Sequence, residues 1–295
     1  RSNVSTFLFV MVEIMQGFQE LHRVQELMEM EPLMEHGGTY PLDEIKEICF
    51  EQVGFTYPRQ KEPVLNDCSF TITKGETVGL VGLNGAGKTT IVKLLLRFYD
   101  VTQGKITING MDIRDYELTS LRRAFGVLFQ DFVRYSMTAK ENISLSDLEH
   151  CEDIRRINTI SRQSGVSEFA LEWEHGLDTP LTRRFDNTGI ELSGGQWQKI
   201  SLARTLFRSC DFIVLDEPSA SLDPESEYRI FEQFKQLSEG KTALLISHRL
   251  SNIMLCNHIV VLDGGHVSQQ GTHQELMKQG GEYASLFTIQ SRKYQ

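Results

Sequence analysis

The stretch TVGLVGLNGAGKTTIVKLLLRF, Thr77 to Phe98, passes from an apolar run through three glycines and a lysine into an amphipathic segment. Gly82, Gly87, Lys88 and Thr89 fit the pattern G-x-x-x-x-G-K-[ST], set after a strand and before a helix as that motif requires. Glycines let backbone N–H groups close around phosphate oxygens, and a helix N-terminus adds the positive end of its dipole. Lys88 neutralises phosphate charge, and the Thr89 hydroxyl can ligate Mg²⁺. The stretch predicts a strand–turn–helix that grips a nucleoside triphosphate.

Outward from it, TVGLVG, AFGVLF, DFIVLD, TALLIS and IVVLD are continuous apolar runs, as expected of strands covered on both faces. Helical stretches separate most of them, which implies an α/β fold with a parallel sheet and right-handed crossovers. Upstream, EICFEQVGF and CSFTIT read as short strands separated by the turn-rich YPRQKEPVLND. Residues from about 131 to 210 are mostly polar and helical, a helical insertion. At the start, Phe7, Val10, Ile14, Phe18, Leu21 and Leu27/Met28 recur at helical spacing, so residues 4–30 read as one helix. Pro32 and EHGGTYPLD then make a linker. Glu13 interrupts the apolar cluster of Val4–Met15, which falls short of the roughly 20 residues a spanning helix needs. It reads as the cut end of a membrane helix or as an amphipathic helix.

Composition sets the outer bounds. The chain has 295 residues, 40% hydrophobic and 24% charged, which is ordinary globular usage. Its 30 Lys+Arg against 40 Asp+Glu give a formal charge of −10, which argues against broad binding to nucleic acid. Cys49, Cys68, Cys151, Cys210 and Cys256 are scattered and never spaced C-x-x-C, so neither a disulfide framework nor a zinc site is expected.

Two further segments carry chemistry. In FIVLDEP (Phe212–Pro218) an apolar strand ends in two carboxylates. Behind a phosphate-binding loop, Asp216 can hold Mg²⁺ and the adjacent Glu217 can polarise an attacking water. In ELSGGQWQKISLARTLF (Glu191–Phe207), Trp197, Ile200, Leu202/Ala203 and Leu206 form an apolar stripe on a helix. Ser193, Gly194, Gly195 and Gln196 stand at its N-terminus, a second phosphate-binding device in one chain.

With these motifs together, residues 45–290 resemble the ATP-binding cassette (ABC) ATPases, of exporter type. The resemblance implies a P-loop NTPase core with an N-terminal antiparallel β-subdomain and a helical signature subdomain. Walker A is then Gly82–Thr89, with Asn84, Gly85 and Thr90 also touching nucleotide; the signature is Leu192–Gln196 and Walker B is Phe212–Asp216. Tyr57 would stack on adenine, and Gln130 would be the Q-loop glutamine, joining Thr89 and Asp216 at Mg²⁺. Asp223 would belong to the D-loop, and His248 would be the switch histidine acting with Glu217. ATP and Mg²⁺ are the implied cofactors. The implied partners are a second nucleotide-binding domain, here a second copy, joined head-to-tail around ATP, and a transmembrane domain of the same transporter.

Residues 1–31 would be the cytoplasmic end of a truncated transmembrane helix and 32–44 a linker, placing the cassette at the cytoplasmic face of the cell membrane. FQDF and ELSGGQWQK look similar to bacterial peptide or lantibiotic-type exporters. One departure stands in RFDNTGIELSGGQ, where Asn187 occupies the place of a glutamate that many drug and lipid exporters use to touch the membrane domain. The rival reading is a soluble ABC ATPase acting in DNA repair or on the ribosome. The interval Thr89–Leu192 has no sustained heptads, and the chain has one cassette rather than two, which weighs against it. A nucleotide-binding regulator without turnover is a third reading, disfavoured by the presence of Glu217 and His248.

Overall fold

A computed structural model describes residues 2–30, 37–216, 240–247 and 249–291. They fall in two compact units, Arg1–His36 and Gly37–Gln295. The first holds one helix, α1 (Ser2–Glu29), within two residues of the expected span. Phe7, Phe9, Ile14 and Phe18 are all exposed on it. Among the described residues no helix is long and apolar enough to cross a membrane.

The second unit has ten described strands: β1 (Glu47–Phe55), β2 (Leu65–Thr73), β3 (Thr77–Gly82), β4 (Gln103–Ile108), β5 (Met111–Asp112), β6 (Phe125–Leu128), β7 (Phe212–Asp216), β8 (Thr242–Ile246), β9 (His258–Asp263) and β10 (His266–Gly271). They form an antiparallel sheet in the order β2-β1-β4-β5 and a six-stranded sheet in the order β10-β9-β3-β8-β7-β6. In the larger sheet every neighbour pair is parallel except β10 on β9. The expected α/β core with an antiparallel subdomain is what the chain forms. Strands β4, β5 and β10 were not apparent in the sequence pattern, and β2 begins at Leu65, inside the stretch read as a turn, because Leu65 pairs with Phe55.

Side-chain alternation explains how the layers join. On one face of the large sheet, Val78, Leu80, Phe212, Val214, Leu244 and Val260 share a core with Ile48, Phe50 and Phe70 of the small sheet and with Ile91 and Leu94 of helix α2 (Lys88–Leu95). Phe50 stacks on Phe70 with ring centroids 4.4 Å apart. On the other face, Val81, Ile213, Leu215, Leu245 and Val261 pack with Leu202, Leu206, Leu250 and Tyr283.

A separate core holds the helical region. It is built from α4 (Ala139–Ser144), α5 (Ile154–Gln163) and α7 (Gly194–Phe207), with the short helices α3 (Leu118–Arg123) before it and α6 (Ser167–Ala170) within it. Ile143, Ile157, Trp197, Ile200, Ala203 and Phe207 close it. The apolar stripe read from the sequence of α7 is buried along its length. All five cysteines are free; Cys68, Cys210 and Cys256 are buried, and Cys49 and Cys151 are partly exposed.

Candidate nucleotide-binding site

The phosphate-binding loop leaves β3 and enters α2 at Lys88. Gly87 caps the helix at φ +102°, where a Cβ would come within 2.5 Å of the Leu65 side chain, and Gly85 sits at φ +83°. Only glycine takes these conformations without strain. Among the described residues, the backbone N–H groups of Gly85, Gly87, Thr89 and Thr90 donate no hydrogen bond, the state expected of a helix start aimed outward. Lys88 is buried, and its Nζ donates to the carbonyl oxygens of Gly82 at 2.9 Å and Leu83 at 3.0 Å.

An open cleft of 460 Å³ brings together Tyr57, Asn84, Gly85, Gly87, Lys88, Thr89, Thr90 and Gln130, with Gln60 and Val64 beside them. Tyr57 follows β1 and is fixed from several sides. Its ring meets Phe55 edge-on at 4.9 Å and Tyr99 at 5.2 Å, and the Lys93 ammonium lies 5.4 Å from its centroid. Its hydroxyl pairs with Thr90 Oγ1 at 3.0 Å, joining the aromatic end of the cleft to the phosphate end.

Gln130 lies two residues past β6. Asp216 ends β7 and is 1% exposed; in the register of this sheet it lies one residue beyond the Leu128–Leu215 pair. Carboxylate and carboxamide therefore come to the same C-terminal edge, where open parallel sheets bind ligands. Glu217, Asp223 and His248, which the sequence offers as site residues, lie outside the described residues.

The second device is separate from the first. Ser193 caps α7 in a closed box: its Oγ accepts from the Gln196 N–H at 3.3 Å, and Gln196 Oε1 accepts from the Ser193 N–H at 2.9 Å. Gly194 and Gly195 form the first turn. None of these four residues lines the cleft. Among the described residues, the cleft lined by the glycine-rich loop is therefore formed without the Ser193–Gln196 cap.

Sequence reading missed a cluster that fastens α7 to residues 133–142. Arg204 on α7 donates from Nε to the Asn142 carbonyl at 3.0 Å, from Nη2 to Asn142 Oδ1 at 2.8 Å and from Nη1 to the Val133 carbonyl at 3.1 Å. Its guanidinium also lies 4.8 Å from the centroid of the Tyr135 ring. Burial pulls this guanidinium below its ordinary pKa. Asn142, fully buried, donates in turn to the carbonyls of Tyr135 and Thr138, each at 3.0 Å. An arginine inside the apolar stripe of SLARTLF was the available signal. The departure at Asn187 falls in a loop whose base is held by hydrogen bonds that include Arg183 N–H to Glu191 Oε1 at 2.8 Å, Arg183 Nε to the Gly189 carbonyl at 3.0 Å and Thr182 N–H to the Ile190 carbonyl at 2.9 Å. Phe185 projects from that loop, 80% exposed.

Residues 65–220, just over half of the chain, match the ABC transporter family. The chain belongs to the ABC transporter family. The matched segment is the family's ATP-binding domain, with the P-loop NTPase fold. Among its relatives is a putative multidrug export ATP-binding/permease protein, YgaD of Bacillus subtilis (strain 168), 40% identical over 242 residues, 82% of this chain and 41% of that protein. An ATP-dependent lipid A-core flippase of Vibrio vulnificus (strain CMCP6) is 38% identical over 281 residues, 94% of this chain and 47% of the flippase. The subtilin transport ATP-binding protein SpaT of Bacillus subtilis is 38% identical over 259 residues, 88% of this chain and 42% of SpaT. The solved structure of a bacterial Atm1-family ABC exporter with ATP bound superposes with a TM-score of 0.83 at 32% identity, covering 94% of this chain and 48% of the exporter. The chain thus spans less than half the length of each of these ABC relatives.

Proposed function

We infer that this chain is the ATP-hydrolysing motor of an ABC exporter, working as a pair of cassettes that close head-to-tail around ATP beneath a transmembrane domain. The observation that carries this reading is the separation of the cleft from the Ser193–Gln196 helix cap. A triphosphate held by Lys88 and the free N–H groups of the loop would leave its γ-phosphate exposed, and the cap of a second copy supplies the missing donors. ATP is then the adhesive between copies, and its cleavage shifts the population back to the open form.

In this reading Tyr57 stacks on the base, while Asn84, Gly85, Gly87, Lys88 and Thr90 surround the phosphates. Ser193, Gly194, Gly195 and Gln196 of the second copy cover them, with Asp223 at the shared boundary. Glu217 polarises the attacking water and His248 contacts the γ-phosphate. The Thr89 hydroxyl, the Gln130 carboxamide and the Asp216 carboxylate form an all-oxygen donor set of the kind Mg²⁺ takes. When bound, the ion neutralises phosphate charge.

The exporter reading draws on the relatives, whose names are those of export and flippase proteins, and not on DNA repair or the ribosome. It places the cassette, residues 45–290, at the cytoplasmic face of a membrane, with residues 1–31 as the end of a membrane helix and 32–44 as linker. The test uses the full-length protein in lipid. Glu217→Gln should keep ATP affinity within twofold, lower turnover by at least about 100-fold, and accumulate a closed pair measurable by cross-linking between Walker A and signature cysteines. Near-normal turnover, or cross-linking that ignores ATP, overturns the reading.

A further inference from the structure

Gln198 is the anomaly of the signature helix. It is 2% exposed, and neither Oε1 nor Nε2 has a hydrogen-bond partner among the described residues. A buried primary amide presents two donors and two acceptor sites, so leaving all of them unmet is costly. A side chain of the same shape without polar atoms would fit this arrangement better, which raises the question of what the amide serves.

Its position answers part of that question. Helical spacing puts Gln198 on the side of α7 that carries Leu202 and Thr205. Leu202 packs against Leu128 and Phe132, and Thr205 Oγ1 donates to the Val127 carbonyl at 3.3 Å. Helix and strand run in opposite senses, because α7 leads back to β7, which is parallel to β6. Seven residues of helix carry the chain about 10.5 Å from Thr205 back to Gln198. Three residues carry the chain at most about 10 Å from Val127, past the end of β6, to Gln130. Gln198 is therefore level with Gln130, at the catalytic edge of the sheet.

The segment at that level, half-buried to exposed, has backbone donors that no described protein group meets. Among the described residues, no backbone N–H from Gln130 to Ser136 donates a hydrogen bond. The segment is held instead through its carbonyls, Val133 by Arg204 and Tyr135 by Asn142. An amide with both acceptor and donor capacity thus stands on the helix whose Arg204 already holds that segment.

Resting on the ATPase reading above, we propose that Gln198 is a positioning residue that hydrogen-bonds the 130–136 backbone in the ATP-bound arrangement and so locks the signature helix to the Gln130 loop. In this arrangement its unmet amide disfavours the open state, and closure satisfies it. The residue touches no substrate; it acts through Gln130.

The test compares wild type with Gln198→Met in the full-length protein. Methionine keeps length and flexibility and removes both polar atoms. Without nucleotide, the variant should melt at or above the wild-type temperature. With saturating MgATP, kcat should fall about tenfold while KM stays within twofold, the loss expected when bonds made only in the active arrangement are removed. Hydrogen exchange reads the same groups directly: a slowly hydrolysed ATP analogue should protect the 130–136 amides in wild type and not in the variant. A kcat within twofold of wild type, a nucleotide-free melting point lowered by several degrees, or equal protection of these amides in both proteins overturns the proposal. Wild type itself failing to hydrolyse ATP would instead overturn the ATPase reading.

Discussion

Removing the Tyr57 ring is the sharpest test of how the cleft recognises a nucleotide. The ring is wedged between Phe55 and Tyr99 with Lys93 5.4 Å from its centroid, and it lines the same cleft as Lys88. A base stacked on an aromatic side chain loses about 1–3 kcal/mol on truncation to alanine. Tyr57→Ala should therefore raise the Kd for ATP about 5- to 150-fold. Every base has a π-face, so GTP should weaken by a similar factor. Inorganic triphosphate, which has no base, should bind the variant within about twofold of wild type, and that control shows the phosphate loop intact. Tyr57→Phe keeps the ring and loses only the 3.0 Å bond to Thr90, a contact worth about 1 kcal/mol. It should sit close to wild type for ATP. Isothermal titration with the three ligands checks the series. Equal weakening of ATP and triphosphate in Tyr57→Ala, or no weakening of ATP, would refute the stacking role.

Four other outcomes are expected. Lys88→Ala should raise the ATP Kd by at least about tenfold, by fluorescent-nucleotide titration, because a charged hydrogen bond to phosphate contributes about 1.5–3 kcal/mol. Arg204→Ala should lower unfolding stability by about 2–4 kcal/mol in urea titrations, since it strips three bonds from Asn142 and Val133, and Arg204→Lys should recover under half of that. Burial pushes the Cys68 thiol up to about 11 and the Cys256 thiol up to about 12. Both therefore stay protonated in the folded protein while the unfolded chain ionises near pH 9, so stability should be level below that pH and fall as pH rises from 9 toward 12. In native protein at pH 8, a thiol reagent should modify Cys49 and Cys151 well before Cys68, Cys210 or Cys256, read by mass spectrometry.

The parallel strands and the phosphate loop were legible because each depends on local chemistry: β-runs such as FIVLD are apolar throughout, and Gly87 with Lys88 can do little else at a strand–helix junction. Strand β10, HVSQQG, was not legible because it lies on the edge of the sheet and only half buries its alternate residues. Strand β4 hid for a different reason: its first three residues are exposed and only Ile106–Ile108 reach the core. Of the site, the cleft residues were readable from motifs, but the Arg204–Asn142–Tyr135 cluster joins positions 62 and 69 residues apart, which spacing along the chain does not reveal. The capping box at Thr138 and Glu141 was readable in principle, as T-x-x-E before an apolar turn. The unmet amide of Gln198 exists only in three dimensions.

The small sheet shares its apolar interior with the large one, and the helices of residues 139–207 largely keep their own. Tyr57 packs against that shared interior and Lys88 opens the helix that enters it, so in the proposed function one packed body would set the distance from adenine to phosphate. Trp197, near the Ser193 end of α7, packs in the helical core instead, while Leu202 and Leu206 of the same helix reach the large sheet. A helix rooted in two cores in this way gives the proposed function a lever between the part that would recognise the nucleotide and the part that would cover it.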